Sequence, residues 1–154
     1  MRYLRLLLFP LSILYGIALR IRHTLYDRGI RTSTRPEVPT IVIGNIALGG
    51  TGKTPLVELV LRTLIGDGPL ATLSRGYGRR GTALREVHRE DVAADTGDEP
   101  LMIKRHFSGV RVFVGADRVG AIARIAQEVP GLKAVVLDDA LQHRRLRAGL
   151  NIAL

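Results

Sequence analysis

The residues best suited to chemistry stand in one short run, Gly49-Gly50-Thr51-Gly52-Lys53-Thr54. It follows an apolar strand pattern, Thr40-Ile41-Val42-Ile43, and opens a helical pattern over residues 53–64. Glycines let consecutive backbone N–H groups curl around phosphate oxygens, and a helix N-terminus adds partial positive charge. In that setting Lys53 reaches the β and γ phosphates of a nucleotide, and the Thr54 hydroxyl holds Mg²⁺. The run departs from the strict Gly-x-x-x-x-Gly-Lys-Ser/Thr spacing, since Ala47 stands where the first glycine belongs. Gly44, Gly49 and Gly50 supply flexibility nearby. The bland alternative is a glycine-rich turn with a solvated lysine, and the flanking strand and helix patterns disfavour it.

A phosphate loop needs an acid at the end of another strand, where carboxyl ends gather at the binding crevice. Asp138-Asp139 follows the apolar run Ala134-Val135-Val136-Leu137 and fits that role. Successive strand residues point opposite ways, so only one of the pair is expected to face the metal directly. A solvated acid pair in a turn is the competing reading. A third acid, Asp98 in Gly97-Asp98-Glu99-Pro100, precedes a helical pattern. It reads either as a helix N-cap or as the base that takes the proton of an attacking hydroxyl, and spacing leaves both open.

Arginines group in three loops: Arg75, Arg79 and Arg80; Arg118; and Arg144, Arg145 and Arg147. Each loop follows a predicted strand, which puts all three on one edge of the sheet. Such a rim could clamp an anionic group bidentately, although each arginine taken singly reads as an ordinary solvated residue. Gln142 and His143 adjoin the acid pair as further site candidates.

These residues need a scaffold, and the chain supplies a β–α rhythm. Strands are predicted at residues 40–43, 70–73, 84–87, 110–114 and 134–137, and helices at 53–64, 99–107 and 117–129. Short apolar runs alternating with helical patterns specify an α/β fold with a doubly wound, mostly parallel sheet. Asn151-Ile152-Ala153-Leu154 reads as another strand, either at a sheet edge or in the front part of a longer chain, and the second is favoured.

Residues 1–36 differ from the rest. Arg2, Arg5, Arg20, Arg22, Arg28, Arg31 and Arg35 stand against one acid, Asp27, around an uncharged stretch of 14 residues, 6–19. That is short of the 18–20 or so a spanning helix needs, and arginines follow where a leader's cleavage site would lie. A helix starting near Pro10 carries Ser12, Gly16, Arg20, His23 and Asp27 on one narrow face, with Leu and Ile over the remainder. With Tyr3, Tyr15 and Tyr26 and basic flanks, this suits an amphipathic helix lying in a membrane interface; burial against protein is the alternative. Residues 32–39 read as a linker with Pro36 and Pro39 as breakers. The expected organisation is a membrane-associating helix and linker over 1–36 and a phosphate-loop domain over 37–154.

Composition narrows the classes. The 154 residues carry 23 basic and 14 acidic side chains, a formal charge of +9, with 46% hydrophobic residues and no cysteine. Disorder, a disulfide scaffold and thiolate chemistry are excluded. The charge implies an anionic partner. With 5% aromatics and no Trp, a base-stacking platform lacks material, and no nucleic-acid partner is expected.

The ordered motifs resemble the tetraacyldisaccharide 4'-kinases of bacterial lipid A biosynthesis. They run from the N-terminal Arg/Leu-rich helix through Val42-Ile43-Gly44-Asn45, the glycine run to Pro55, Ser74-Arg75-Gly76-Tyr77-Gly78, Gly97-Asp98-Glu99-Pro100 and Gly115-Ala116-Asp117-Arg118 to Leu137-Asp138-Asp139-Ala140-Leu141-Gln142-His143-Arg144. The resemblance implies transfer of the ATP γ-phosphate to the 4'-hydroxyl of a tetraacyldisaccharide 1-phosphate, giving lipid IVA, at the cytoplasmic face of the inner membrane. By motif it implies nucleotide contacts from Asn45, Gly49, Gly50, Thr51, Gly52, Lys53 and Thr54. Mg²⁺ falls to Thr54, Asp138 and Asp139, and Asp98 becomes the base. Tyr77 and Arg118 are implied as substrate contacts, and Arg75, Gln142 and His143 join them as substrate-site candidates by their position in the rim and beside the acid pair. Two departures stand out: Ala140-Leu141 replaces the Gly-Phe frequent in the family, and family members are about twice as long. An N-terminal portion of such a kinase is therefore expected, with a membrane-associated regulatory ATPase as the alternative. Regulatory ATPases of that kind carry a lysine where Leu48 stands.

Overall fold

The computed structural model describes residues 2–45 and 52–154, with side chains from residue 9 onward. They form two compact units, Met1–Ser33 and Thr34–Leu154.

The first unit is one helix, α1 (Arg2–Asp27), which contains Pro10 in its interior. The sequence predicts a helix start near Pro10; the helix instead begins eight residues earlier, at Arg2. Residues 2–9 include good helix formers, Arg and Leu, and their propensity carries the helix through the N–H that proline lacks. The Ser12 hydroxyl donates to the Phe9 carbonyl at 2.7 Å, one turn back. Gly29, at φ +70°, ends the helix, and the Arg31 N–H returns to the Leu25 carbonyl at 3.0 Å, a glycine-led stop. Phe9, Leu11, Ile13, Leu14, Tyr15, Ile17 and Ile21 are all exposed. No helix among the described residues is long and apolar enough to cross a membrane.

The second unit is a three-layer α/β sandwich. In chain order it runs β1 (Thr40–Gly44), α2 (Lys53–Leu64), β2 (Leu70–Ser74), β3 (Arg85–Glu86), α3 (Ala93–Thr96), α4 (Asp98–His106), β4 (Arg111–Val114), α5 (Arg118–Glu128), β5 (Ala134–Asp138) and β6 (Leu150–Ala153). The sheet order is β3-β4-β2-β5-β1-β6. Its pairings are parallel except at the edge, where β3 runs antiparallel to β4. The elements fall within a residue or two of those predicted; the short α3 has no sequence counterpart.

Alternation along the strands sorts the core into two layers. Ile43, Leu70, Val112, Val114 and Val136 pack with Val57 and Leu61 of α2 and Leu101 and Ile103 of α4. Val42, Ala71, Leu73, Phe113, Val135 and Leu137 pack with Ala121, Ile122 and Ile125 of α5. Both faces are thus covered, as near-continuous Val/Ile/Leu strands require. Glu58 of α2 lies 2.8 Å from His106 Nδ1 of α4, tying together the two helices whose N-termini meet at the carboxyl edge of the sheet. Thr34 forms a parallel bridge with Leu146, so the predicted linker is part of the second unit from that residue on.

Candidate active site

β1, β2 and β5 end side by side, with Ile43 paired to Asp138 and Leu73 to Leu137. Their carboxyl ends and the N-termini of α2 and α4 enclose one open cleft of about 600 Å³. Lys53, Arg75, Tyr77, Asp98, Asp138 and Asp139 all line it.

The floor comes from α2 and the acid pair. Gly52 precedes α2 at φ +80°, and no side chain caps the helix, so backbone donors at its start are left for an anion. Lys53 Nζ stands 3.3 Å from Asp139 Oδ1. Asp139 is at φ +54°, and its N–H donates to the Ile43 carbonyl at 2.8 Å. Alternation alone would send Asp139 away from Asp138; the left-handed turn brings both acids into the cleft. Burial, reinforced by the like charge of Glu99 and opposed by Lys53, pushes the Asp138 carboxyl up to about 6.

Thr54 and Asp138 also share a small cavity beneath the cleft. A hydroxyl and a carboxylate are hard oxygen donors, the set that suits Mg²⁺ held jointly with phosphate oxygens and water. Among the described residues no group of three or more His, Cys, Asp or Glu could hold a metal alone. The donor set therefore fits a nucleotide-borne magnesium ion.

The wall carrying Asp98 is set by two glycines. Gly97, at φ +90° and ψ 155°, occupies the N-cap of α4, and Asp98 is the first helical residue. The N-cap reading of Asp98 is thereby corrected: Gly97 holds that position, and Asp98, one residue on, lines the cleft. A Cβ on Gly97 would lie 3.2 Å from Gly76 Cα, and one on Gly76 would lie 2.8 Å from the Thr96 carbonyl. Only glycine permits this backbone contact between the Arg75–Tyr77 loop and the Asp98 loop.

The arginine rim is only partly realised. Arg79 donates to the carbonyls of Arg75 at 3.2 Å and Ala83 at 2.7 Å, organising its own loop. Arg118 is 4% exposed and donates to the carbonyls of Gly115 and Ala116. Burial, with Arg75 nearby, holds its guanidinium below its ordinary range. Arg145 pairs with Asp117 at 3.5 Å. The carbonyl ends of strands and loops compete for these guanidinium groups, which spacing does not reveal. Neither Arg118, Gln142 nor His143 is among the described residues lining the cleft; Gln142 is exposed and His143 half-buried in the turn after Asp139. Asn45 follows β1, and Gly49, Gly50 and Thr51 lie outside the described residues. Two residues of the quoted motifs carry roles that the sequence reading did not assign. Glu99 lines both cavities and loads Asp138 with negative charge, and Ser74 closes β2 beside it.

A family model described as Tetraacyldisaccharide-1-P 4'-kinase matches residues 4–154. The Tetraacyldisaccharide 4'-kinase of Cytophaga hutchinsonii is 43% identical over 155 residues, covering 100% of this chain and 44% of that protein. The Bacteroides fragilis protein of the same name is 44% identical over 148 residues, 96% of this chain and 39% of its own. The crystal structure of an "apo" form of LpxK from Aquifex aeolicus in complex with ATP superposes with a TM-score of 0.84 at 34% identity, covering 97% of this chain and 48% of that one. The chain thus spans less than half the length of these curated relatives. The comparisons give no support to the regulatory-ATPase alternative.

Proposed function

The chain belongs to the tetraacyldisaccharide-1-P 4'-kinase family, and from that premise we propose that it carries the nucleotide half of a lipid A kinase. The reaction is transfer of the γ-phosphoryl group of ATP to the 4'-hydroxyl of a tetraacyldisaccharide 1-phosphate, forming lipid IVA. One observation carries the reading: Lys53, Asp98, Asp138 and Asp139, drawn from three distant motifs, line a single cleft at the uncapped start of α2. The Aquifex aeolicus structure, crystallised with ATP, supports the nucleotide assignment.

Phosphoryl transfer asks mostly for positioning and charge neutralisation. The N–H groups at the start of α2 and the Lys53 ammonium bind and orient the β and γ phosphates. Thr54 and Asp138 would hold Mg²⁺, which supplies charge neutralisation on the transferring group when bound. Asp139 holds Lys53 in position. Asp98 takes the proton of the attacking hydroxyl as its oxygen bonds the γ-phosphorus and the bond to the bridging oxygen breaks. Arg75 and Tyr77, on the loop that abuts the Asp98 loop, orient the acceptor; Gln142 and His143, in the turn after Asp139, belong to its outer contacts, and buried Arg118 braces the Gly115–Ala116 turn.

The acceptor is a lipid, and α1 suits it. Its exposed Leu, Ile and Tyr side chains and basic residues are those of a helix lying in an anionic interface. We place the protein at the cytoplasmic face of the inner membrane, bound peripherally or monotopically by residues 1–36, with 37–154 as the catalytic unit. The test is transfer of ³²P from γ-labelled ATP to the disaccharide by the full-length protein. Label on the lipid, lost in Lys53→Ala, supports the reading. Release of inorganic phosphate without an acceptor, and no labelled lipid, would favour a regulatory ATPase.

A further inference from the structure

The small cavity under the cleft holds about 20 Å³ and is walled by Thr54, Thr72, Ser74, Glu99, Ile103 and Asp138 among others. Ser74 ends β2 and Asp138 ends β5. Because the parallel register pairs Leu73 with Leu137, Ser74 and Asp138 are neighbours at the next rung. Side chains alternate along strands. Leu70 and Val136 belong to the core layer under α2 and α4, so Ser74 and Asp138 turn to that same layer. Ser74 Oγ and Asp138 Oδ1 are both buried without a hydrogen-bond partner.

Buried polar atoms in folded proteins are almost always partnered, by protein or by water. A buried water needs about 10–15 Å³ of room and two to four polar partners. This cavity meets both conditions, and the two orphaned atoms sit on adjoining strands of its wall. We propose that Ser74 Oγ and Asp138 Oδ1 share one buried water, through which Ser74 orients the Asp138 carboxylate. Asp138 lines the cleft as well as the cavity. Anchoring Oδ1 below leaves its other oxygen directed to the cleft, where a cation would be met. Ser74 is thus a positioning residue. Its value to phosphoryl transfer rests on the kinase reading above; the shared water does not.

A double-mutant cycle on the full-length, EDTA-treated protein tests the coupling by thermal unfolding. Ser74→Ala is expected to lower Tm by about 2–4 °C when Asp138 is present and to leave it unchanged in an Asp138→Ala background. Equal shifts in both backgrounds overturn the proposal. Should either variant fail to fold, a high-resolution crystal structure of the unsubstituted, nucleotide-free protein decides. Density for one water within hydrogen-bond reach of both atoms supports the inference, and a dry cavity or a direct Ser74–Asp138 bond overturns it. In turnover, Ser74→Ala is expected to raise the Mg²⁺ concentration for half-maximal rate roughly tenfold, about the loss known for outer-shell partners of metal ligands, while kcat at saturating Mg²⁺ holds. A fall in kcat with an unchanged Mg²⁺ requirement contradicts the positioning role. If the unsubstituted protein takes up no magnesium nucleotide, the kinase reading fails, while the water and its coupling stand or fall on the first two measurements.

Discussion

Lys53 Nζ lies 3.3 Å from Asp139 Oδ1, and it does so because Asp139 takes a left-handed backbone at φ +54°. The first residue of α2 and the residue just past β5 are thereby joined across the carboxyl edge, with Asp138 half-buried beside them.

Lys53→Ala removes the cleft cation proposed to meet the terminal phosphates. It is expected to lower kcat for lipid phosphorylation by about 10²–10³ or more, the scale of a lost preorganised donor. Flotation with anionic vesicles should be unaffected, since the basic and apolar residues of α1 are untouched. Loss of vesicle binding in this variant would contradict the division of roles between the two units.

Asp139 separates conformation from charge. Asn tolerates a left-handed backbone nearly as well as Asp, whereas a residue with an ordinary Cβ costs about 1–2 kcal/mol there. Asp139→Asn should keep its Tm but lose activity as Lys53 loses its partner. Asp139→Ala should lose both. Unfolding curves of the two variants, read beside their kcat, check the distinction.

The Asp138 carboxyl, pushed up to about 6 by burial and the nearby Glu99, makes folding depend on pH. The native state holds its proton more tightly than the unfolded chain, so the ionised group opposes folding. The penalty is absent below about pH 4, grows through pH 6 and is constant above, approaching about 3 kcal/mol. Asp138→Asn without metal should therefore raise Tm at pH 7.5 and leave it unchanged at pH 3.5. A Tm gain equal at both pH values would remove burial as the cause.

Gly97→Ala puts a Cβ 3.2 Å from Gly76 Cα at φ +90°. A backbone strain of about 1–3 kcal/mol is expected, together with displacement of Asp98. Tm should fall, and kcat should fall further than the KM for ATP rises if Asp98 is the proposed base for the acceptor hydroxyl. Steady-state kinetics on purified variant resolve the two effects.

Leu14→Glu with Ile17→Glu places two charges on the exposed apolar surface of α1. Binding to anionic vesicles should weaken by at least about tenfold, since fully burying each Leu or Ile side chain is worth about 1.5–3 kcal/mol. Sedimentation with vesicles of defined anionic content measures it; unchanged binding would move the interface elsewhere.

Local patterning alone determined which segments form strands and helices. The runs at residues 40–43 and 134–137 are continuously apolar because both sheet faces are covered, and 53–64 carries helical periodicity after glycine. The candidate site residues stood out as well, since Lys53 opens a helix after a glycine run and the acids Asp98 and Asp138 stand where a loop or strand hands over to a helix or turn. Local signals could not say where α1 begins, because tolerance of an interior proline depends on the residues around it. They could not show that Gly97 takes the N-cap, nor that the guanidinium groups of Arg79 and Arg118 satisfy nearby carbonyls. Nor could they distinguish Asp138 from Asp139, which differ in backbone turn and burial and not in type. Those outcomes depend on strand order and on which loops touch at the sheet edge, where residues far apart in the chain compete for the same partners. Register and close backbone contact exist only in the assembled molecule, and there Ser74 comes to lie beside Asp138 on adjoining strands and Gly76 against Gly97.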